Sequence, residues 1–240
     1  MPEPRTRQPA KARALLSWSS GKDSAWALHL LRRAGEVEVV GLLTTVNETH
    51  SRVAMHAVRA ELLEAQARAV GLPLWQVPIP HPCSNERYEA AMGAAVARAR
   101  DKGITAIAFG DLFLQDIRRY REERLAGTGV TPLFPVWEIP TRALAEEMVR
   151  AGLKARLTCV DPRQLPASFA GREFDAQLLA NLPVGVDPCG ERGEFHTFAC
   201  DGPMFRRPVP VQAGPVVERD GFVFADLLPA GAAERAASPA

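Results

Sequence analysis

The residues of this chain best suited to chemistry lie in one short segment near its start, Ser19–Ser24, with the sequence SSGKDS. An apolar run, Ala14–Trp18, stops just before this segment, and a helical pattern follows at once. Small residues between a strand and a helix let phosphate oxygens reach backbone N–H groups, and the positive end of the helix dipole adds to the attraction. Lys22 contributes a mobile full charge. The segment therefore predicts a cradle that binds phosphate.

Two common phosphate-binding patterns do not match this loop. The Walker A pattern needs a glycine five positions before its Gly-Lys pair and a Ser or Thr directly after it, and Leu16 and Asp23 occupy those places. The dinucleotide pattern G-x-G-x-x-G is also absent. Ordinary helix capping is the alternative, because side chains such as Ser24 satisfy orphan N–H groups for about 1 kcal/mol each. Replacing Lys22 by Ala distinguishes the cradle from ordinary capping. If the loop is a cradle, the variant loses nucleotide binding while its stability barely changes.

The loop resembles the PP-loop of the N-type ATP pyrophosphatases, usually written S-G-G-x-D-S. The resemblance implies ATP as the ligand and assigns the six places of the motif to Ser19, Ser20, Gly21, Lys22, Asp23 and Ser24. Ser20 stands where the second glycine is usual. Because serine carries a Cβ, we expect this backbone position not to need a positive φ.

Composition and charge narrow the class of protein. The chain has 240 residues, 47% apolar and 24% charged, with a net charge of +1. These values are typical of a soluble globular protein and give no electrostatic reason to expect a nucleic-acid partner. No apolar stretch approaches the ~20 residues that span a bilayer, so we expect no membrane association. Residues 1–12 and 229–240 are expected to be flexible tails, the first rather than a signal peptide.

Four cysteines lie far apart in the sequence, without a C-x-x-C pair. Such usage is typical of reduced thiols and predicts a cytoplasmic protein rather than a zinc ribbon or a disulfide framework.

Short apolar runs alternate with helical patterns up to about Pro140 and predict an α/β fold with a doubly wound parallel sheet. We expect a nucleotide-binding domain over residues 13–140 and a smaller α+β substrate subdomain over 141–228. The strands expected in the first domain are Ala14–Trp18, Val37–Thr45, Leu74–Val77, Ala106–Phe109 and Leu133–Val136, and the helices are Ser24–Ala34, Met55–Val70 and Glu86–Lys102.

Two further sites, Gly110-Asp111 and Thr44, lie at the ends of expected strands, on the same side of the sheet as the cradle. Ligands bind at the carboxyl ends of such strands. Gly110 would let a ligand approach, and Asp111 could hold Mg²⁺ or a ribose hydroxyl or simply cap a helix. Thr44 could line an adenine or ribose pocket or be an ordinary polar strand end.

Residues 190–198, with the sequence GERGEFHTF, form the second informative stretch. Glu191 and Glu194 are three positions apart around Gly193, and period two places Glu194 and His196 on one strand face. Taken alone, the stretch fits a solvated hairpin as well as a functional rim.

The cradle together with residues 187–198 and the motif DGPMF at 201–205 resembles the diphthine–ammonia ligase family. His56 and the LFPVW motif at 133–137 belong to the same likeness. The segment 110–118 departs from the archaeal and eukaryotic pattern, and it lies where substrate contacts are expected.

The resemblance implies that a carboxylate attacks the α-phosphate of ATP, that pyrophosphate leaves, and that ammonia then displaces AMP to give an amide. Lys22 would neutralise the phosphates, Asp23 or Asp111 would place Mg²⁺, and Glu191 and Glu194 would lie near the acceptor. His196 would move a proton. The implied partners are ATP, ammonia and a carboxylate, with a homo-oligomer possible. The alternatives are the same chemistry on another carboxylic acid, a non-catalytic nucleotide-binding protein, and a sulfur-inserting enzyme acting on tRNA.

Overall fold

The structure, a computed structural model, describes residues 11–47, the backbone of 52–53, and residues 58–230. Most of the two expected tails and His56 therefore lie outside the described residues. The strands are β1 (Ala12–Ser17), β2 (Val37–Asn47), β3 (Arg52–Val53), β4 (Leu74–Ile79), β5 (Ala106–Ala108), β6 (Thr131–Leu133), β7 (Lys154–Val160), β8 (Phe195–Asp201), β9 (Val211–Arg219) and β10 (Phe222–Pro229). The α-helices are α1 (Lys22–Ala34), α2 (Ala60–Val70), α3 (Asn85–Asp101), α4 (Gln115–Leu125), α5 (Thr141–Arg150) and α6 (Ala176–Asn181).

Five parallel strands form the first sheet, in the order β4-β2-β1-β5-β6, and β3 pairs antiparallel with the end of β2. β1 lies between β2 and β5, so the strand order reverses beside it. In a doubly wound sheet this reversal opens a crevice at the carboxyl ends of the strands, where ligands bind. The α/β fold class expected from the alternating pattern is confirmed.

Two helices, α1 and α2, end where glycines permit a left-handed backbone. Gly35 and Gly71 follow α1 and α2 with φ of 65° and 72°, and each N–H caps a carbonyl of the last turn. Glycine is the usual residue at such a left-handed position after a helix. The caps fix where each helix turns back into the sheet, and so fix the start of the next strand.

One helix was not expected, and several element boundaries differ from those expected, β6 and α2 among them. α4 was not predicted, because its sequence is strongly polar and only Leu125 of the helix is buried. β6 ends at Leu133 because residues 135–138 form a turn. α2 begins at Ala60, since Arg59 is extended with ψ of 140°, and Met55–Ala57 lie outside the described residues. Of the expected tails, Ala12 lies in β1 and Pro229 in β10.

A four-stranded antiparallel sheet forms the core of the C-terminal part, in the order β8-β7-β10-β9. A hairpin turn at Asp220-Gly221 joins β9 and β10, with both residues at positive φ as a tight turn requires. This sheet presents β8 to the first domain, and the two parts share one apolar core. Within the described ranges, every helix is too short or too polar to cross a membrane.

Candidate active site

The cradle follows β1 directly, and α1 begins at Lys22 with Gly21 as its extended N-cap residue. Hydroxyl groups hold the loop in shape. The Oγ of Ser24 donates to the carbonyl of Gly21 at 3.0 Å, and the N–H of Gly21 donates to the Oγ of Ser19 at 3.3 Å. The loop therefore reaches the N-terminus of α1 in a compact turn, with small side chains on the side of the cavity.

Ser20 adopts the left-handed backbone conformation, with φ of 69°. The expectation that this position does not need a positive φ was wrong. The turn from β1 into α1 imposes the conformation on serine, which costs about 1–2 kcal/mol more than it would cost glycine. The side chain of Ser20 is fully buried, and its Oγ donates to the carbonyl of Ser19. The surrounding contacts must therefore hold the residue in place.

Those contacts come from α2 and from the second domain. The carbonyl of Ser20 accepts the backbone N–H of Ala199 in β8 and the side-chain amide of Gln66, both at 2.9 Å. The same amide group donates to the carbonyl of Ala199 at 2.6 Å, and the Oε1 of Gln66 accepts from the indole of Trp18 at 2.9 Å. Gln66 is completely buried. It thus ties the cradle, α2 and β8 together.

Lys22 is buried and lies under the second domain rather than in solvent. Its ammonium contacts the Asp23 carboxylate at 2.9 Å and donates to the carbonyl of Cys189. It also lies 5.3 and 5.5 Å from the ring centres of Phe195 and Phe174. Burial lowers the pKa of Lys22, but Asp23, Cys189 and Glu191 together outweigh this effect, and the net pKa is raised. The side chain is charged and partnered, so we now expect its removal to lower stability, in contrast to the expectation from the sequence.

Thr197 connects β8 to the first turn of α1. Its Oγ1 accepts the N–H of Lys22 at 3.1 Å. A Cβ added at Gly21 would lie 3.3 Å from the carbonyl of Thr197, so a larger residue would push β8 away from the cradle. β8 therefore forms one wall of the Ser19–Ser24 loop.

Gly110 and Asp111 follow β5 on the opposite side of the crevice. A Cβ at Gly110 would lie 3.0 Å from backbone atoms of Asp23 and Ser24, so glycine is needed there for close packing against α1. Asp111 lines the cavity, and the Nε of Arg121 lies 3.5 Å from its Oδ2. Burial raises the pKa of Asp111, although Arg121 partly opposes the shift.

A cavity of about 290 Å³ lies between the cradle and residues 189–197. Lys22 and three carboxylate side chains line it: Asp23, Asp111 and Glu191. The Oδ1 of Asp23 is buried and has no hydrogen-bond partner among the described residues. Burial raises the pKa of Asp23. The cavity thus combines a cradle for anions with carboxylates that gain from a cation.

Glu191 reaches into this cavity from the second domain. One carboxylate oxygen accepts the backbone N–H of Leu112 at 2.9 Å, which fixes the side chain beside the end of β5. Burial raises the pKa of Glu191 to about 7, and the charges of Asp23 and Asp111 add to the shift. A carboxylate with this pKa can take up and release a proton near neutral pH.

Glu194 is placed differently from Glu191. Its side chain is buried, and its two oxygens accept the backbone N–H groups of Asp187 and Arg192, both at 2.9 Å. Glu194 is not among the residues that line the cavity. The carboxylate shapes the loop that carries Glu191, so the two acidic residues do not face the same space.

His196 lines the cavity in β8. Burial, together with the charge of Lys22, lowers the pKa of His196 to about 4. The imidazole is therefore neutral at pH 7 and a weak base there. Thr44 is buried in β2 and is not among the residues that line the cavity.

The cysteines are free thiols, and Cys189 is the one that lines the cavity. Burial raises the pKa of the Cys189 thiol far above its usual range, and the thiol contacts the carbonyl of Thr141. Burial also raises the pKa of Cys159 to about 11. Both thiols are protonated at neutral pH, which is the inert state of cysteine.

Sequence reasoning missed Gln66, Thr197 and Arg121. Gln66 lies four positions after Leu62, so it falls on the apolar face of α2, and a polar residue there signals a buried hydrogen bond. Thr197 belongs to the motif at 190–198 but was not singled out. Arg121 lies in α4, whose polar sequence gave no helical periodicity.

Both halves of the chain match models of known protein families. Residues 11–130 match the family model described as the diphthamide synthase N-terminal domain, and residues 140–223 match the diphthamide synthase C-terminal domain. Curated diphthine–ammonia ligases from Bos taurus and Danio rerio are 25% and 27% identical to the chain, each over 87% of it. The alignments cover 86% and 90% of those two proteins. The chain that carries this cavity therefore belongs to the diphthamide synthase family.

Proposed function

We propose that the protein is an ATP-dependent amide ligase that adenylates the carboxylate of diphthine and transfers the acyl group to ammonia. The observation that carries the proposal is the cradle after β1, closed on one side by the 187–197 segment of the second domain. The choice of diphthine as acceptor and ammonia as amine follows the name of the relatives, diphthine–ammonia ligase.

The cradle suits attack at the innermost phosphate. Backbone N–H groups of the loop and the Lys22 ammonium bind the β- and γ-phosphates, where charge develops as pyrophosphate leaves. A carboxylate oxygen of the acceptor attacks the α-phosphorus, and the bond from that phosphorus to the bridging oxygen breaks. Pyrophosphate departs and an acyl-adenylate remains. The step converts a carboxylate, which has no leaving group at neutral pH, into an activated ester.

The second step forms the amide. The nitrogen of ammonia attacks the acyl carbon, the bond to the AMP oxygen breaks, and AMP leaves. The nitrogen loses a proton in the process. Glu191 is the proposed acceptor of this proton, because it lines the cavity and has a pKa of about 7.

The residues present fit Mg²⁺. Asp23 and Asp111 line one cavity, and the buried Oδ1 of Asp23 has no hydrogen-bond partner among the described residues. Mg²⁺ binds through one or two carboxylates together with substrate phosphates. Within the described part of the chain, no three His, Cys, Asp or Glu side chains form a metal site by themselves. Asp23 and Asp111 are the proposed ligands, and the ion would neutralise charge on the triphosphate.

The acceptor could also be a different carboxylic acid. Asp111 belongs to the segment 110–118 that departs from the family pattern, and Arg121 lies against it at the edge of the cavity. The Arg121 guanidinium at this edge favours an anionic acceptor and affects which carboxylic acids fit the cavity. We further propose a cytoplasmic location, because all four cysteines are free. A homo-oligomer and the absence of a nucleic-acid partner stay predictions.

The test uses the full chain with ATP, Mg²⁺, ¹⁵N-ammonium and diphthine. We expect AMP and pyrophosphate in equal amounts, and ¹⁵N in the amide product by mass spectrometry. Omitting diphthine should abolish AMP formation, and a panel of other carboxylic acids identifies the acceptor if diphthine is not used. Formation of ADP instead of AMP, or no turnover with any carboxylic acid, would contradict the proposal.

A further inference from the structure

The loop of residues 187–191 is attached to the first residue of α5. The carboxylate of Asp187 is buried, and its Oδ2 accepts the hydroxyl of Thr141 at 2.7 Å. The thiol of Cys189 donates to the carbonyl of the same threonine at 3.4 Å. Two hydrogen bonds therefore join this loop to one residue of α5, and neither Asp187 nor Thr141 is among the residues that line the cavity.

The second oxygen of the Asp187 carboxylate holds the backbone of the loop. Oδ1 accepts the N–H of Cys189 at 2.8 Å and the N–H of Glu191 at 3.3 Å. The carbonyl of Asp187 accepts the N–H of Gly190 at 2.9 Å and closes the turn between them. Because all three donors are backbone groups, one buried residue determines the course of the chain from 187 to 191.

The carbonyl of Cys189 is one of the groups that this course places, and it accepts the Lys22 ammonium. A lysine ammonium has three N–H donors. The Asp23 carboxylate and the Cys189 carbonyl take two of them, and Lys22 lines the cavity into which a third can reach a phosphate. The direction of the third donor follows from the other two. A displaced Cys189 carbonyl would therefore turn the ammonium away from the phosphates.

The backbone of Glu191 is the other group that the loop places. Its carboxylate lies in the cavity and accepts the N–H of Leu112 from the first domain. A side chain can keep such a contact only if its own backbone stays in position. Asp187 itself is no candidate for contact with the substrates, because both of its oxygens accept hydrogen bonds from the protein. It acts through the residues that it holds.

We propose that Asp187 and Thr141 are positioning residues for both steps of the reaction. Through the Cys189 carbonyl they set the direction of the Lys22 ammonium, and through the backbone of Glu191 they set the position of its carboxylate. The inference rests on the proposed function for the two steps. A change at Thr141, outside the cavity, lowers adenylation and amide formation together, because a buried carboxylate that loses a donor shifts toward other donors.

The placement of Lys22 is measured without substrates, by NMR of protein labelled with ¹⁵N-lysine. Lys22 is buried and hydrogen-bonded, so its ammonium exchanges protons slowly, whereas Lys11, Lys102 and Lys154 are exposed and exchange fast. We expect a sharp ammonium resonance that is absent from Lys22→Met. It should shift or broaden in Thr141→Val and return in Thr141→Ser, which restores the hydroxyl. A resonance in Thr141→Val identical to that of the wild type would overturn the inference.

Pyrophosphate exchange and amide formation are measured on the same variants. We expect Thr141→Val to lower both rates at least tenfold and Thr141→Ser to restore both within twofold. Thr128→Val is the matched control, because its hydroxyl also makes a hydrogen bond of 2.7 Å, to the carbonyl of Leu125, and does not line the cavity. The control should lose a similar amount of Tm and keep both rates. Equal loss of activity in the control, or loss of only one step in Thr141→Val, would overturn the inference.

Asp187→Asn keeps the test decisive if Thr141→Val does not fold. Asparagine retains the size of the side chain and one acceptor oxygen, but its NH₂ group cannot accept the second set of donors. The Lys22 resonance should shift and both rates should fall. A wild type without turnover, whose Lys22 resonance responds to these variants, would overturn the proposed function alone. A wild type with turnover, whose resonance and rates do not respond, would overturn this inference alone.

Discussion

The cradle of residues 19–24 and the segment 187–197 meet in one cavity, but they are built from different kinds of contact. The cradle consists of consecutive residues between a strand and a helix, and its main groups are backbone amides and Lys22. The 187–197 segment brings side chains to the cavity from a loop that Glu194 and Asp187 hold in shape. Local sequence is sufficient to identify the first region, whereas the second acquires its geometry only through tertiary contacts.

The comparison predicts different results when each region is altered. Changes in the cradle should affect every step that uses ATP, and changes in the 187–197 segment should separate the acyl-transfer step from the adenylation step.

The largest effect is expected from Lys22→Met. The variant keeps the length of the side chain but removes the ammonium that stabilises the charge of the departing pyrophosphate. Adenylation should therefore fall by a factor on the order of 10²–10³. Stability should fall as well, by about 2 kcal/mol, because the buried Asp23 carboxylate loses its partner. Pyrophosphate exchange and thermal unfolding measure the two effects. Lys102→Met, at an exposed position, should change neither, and an unaltered rate of exchange in Lys22→Met would refute the role of the ammonium.

Glu191 and Glu194 sharpen the comparison, because they are three residues apart and differ in role. Glu191→Gln should lower amide formation about 100-fold, as expected for loss of a general base, and should leave pyrophosphate exchange nearly intact. In the wild type, kcat at saturating ammonium should rise with pH with an apparent pKa of about 7, and this dependence should be absent in the variant. Glu194→Gln should instead destabilise the loop, because an amide cannot accept both N–H groups. Equal effects of the two variants on both steps would contradict the distinction.

The raised pKa of Glu191 also predicts a change in stability with pH. The folded protein holds the proton at Glu191 more tightly than the unfolded chain does, so the side chain lowers stability as pH rises from about 4.5 to above 7. Glu191→Gln should therefore raise the Tm relative to the wild type at pH 8 and not at pH 5. A constant difference in Tm at both values would show that Glu191 has an ordinary pKa.

Gln66→Glu tests the link between the two regions. The variant keeps the acceptor for Trp18 but places a carboxylate against the carbonyls of Ser20 and Ala199, which lose the side-chain amide that donates to both. We expect a loss of about 2–3 kcal/mol in the free energy of unfolding, and a larger loss at high pH, where the carboxylate is ionised. Chemical denaturation at pH 5 and pH 8 measures both. Gln76→Glu, on the exposed side of β4, serves as the control. A Gln66→Glu protein as stable as this control would show that the bridge is not needed.

The sequence identified the cradle, the parallel sheet and the family, because these depend on local order and on periodic burial. It did not identify the conformation of Ser20, because a serine stands where the motif usually has glycine, and contacts with Gln66 and Ala199 across the fold hold it in the left-handed turn. It grouped Glu194 with Glu191, because spacing along the chain does not show which carboxylate accepts hydrogen bonds from the backbone amides of its own loop. It overlooked α4 and Arg121, because a helix with one buried residue has no apolar periodicity.

The smallest effect is expected at Ser20. Ser20→Gly removes the strain of a left-handed serine and should raise the free energy of unfolding by about 1 kcal/mol. Ser19→Gly is the matched control, and it should lower stability because the N–H of Gly21 loses its acceptor. Thermal unfolding of the two variants gives the comparison. A loss of stability in Ser20→Gly would mean that the hydroxyl contributes more than the backbone strain costs.

The most direct measurement is a crystal structure of the protein with Mg²⁺ and α,β-methylene ATP, which cannot release pyrophosphate. The account predicts that the β- and γ-phosphates lie within hydrogen-bond distance of the backbone amides of residues 19–24 and of the Lys22 ammonium. It also predicts that the α-phosphorus faces the side on which Glu191 lies. A triphosphate bound away from this loop, or a Lys22 ammonium that stays on the carbonyl of Cys189 without reaching a phosphate, would contradict it.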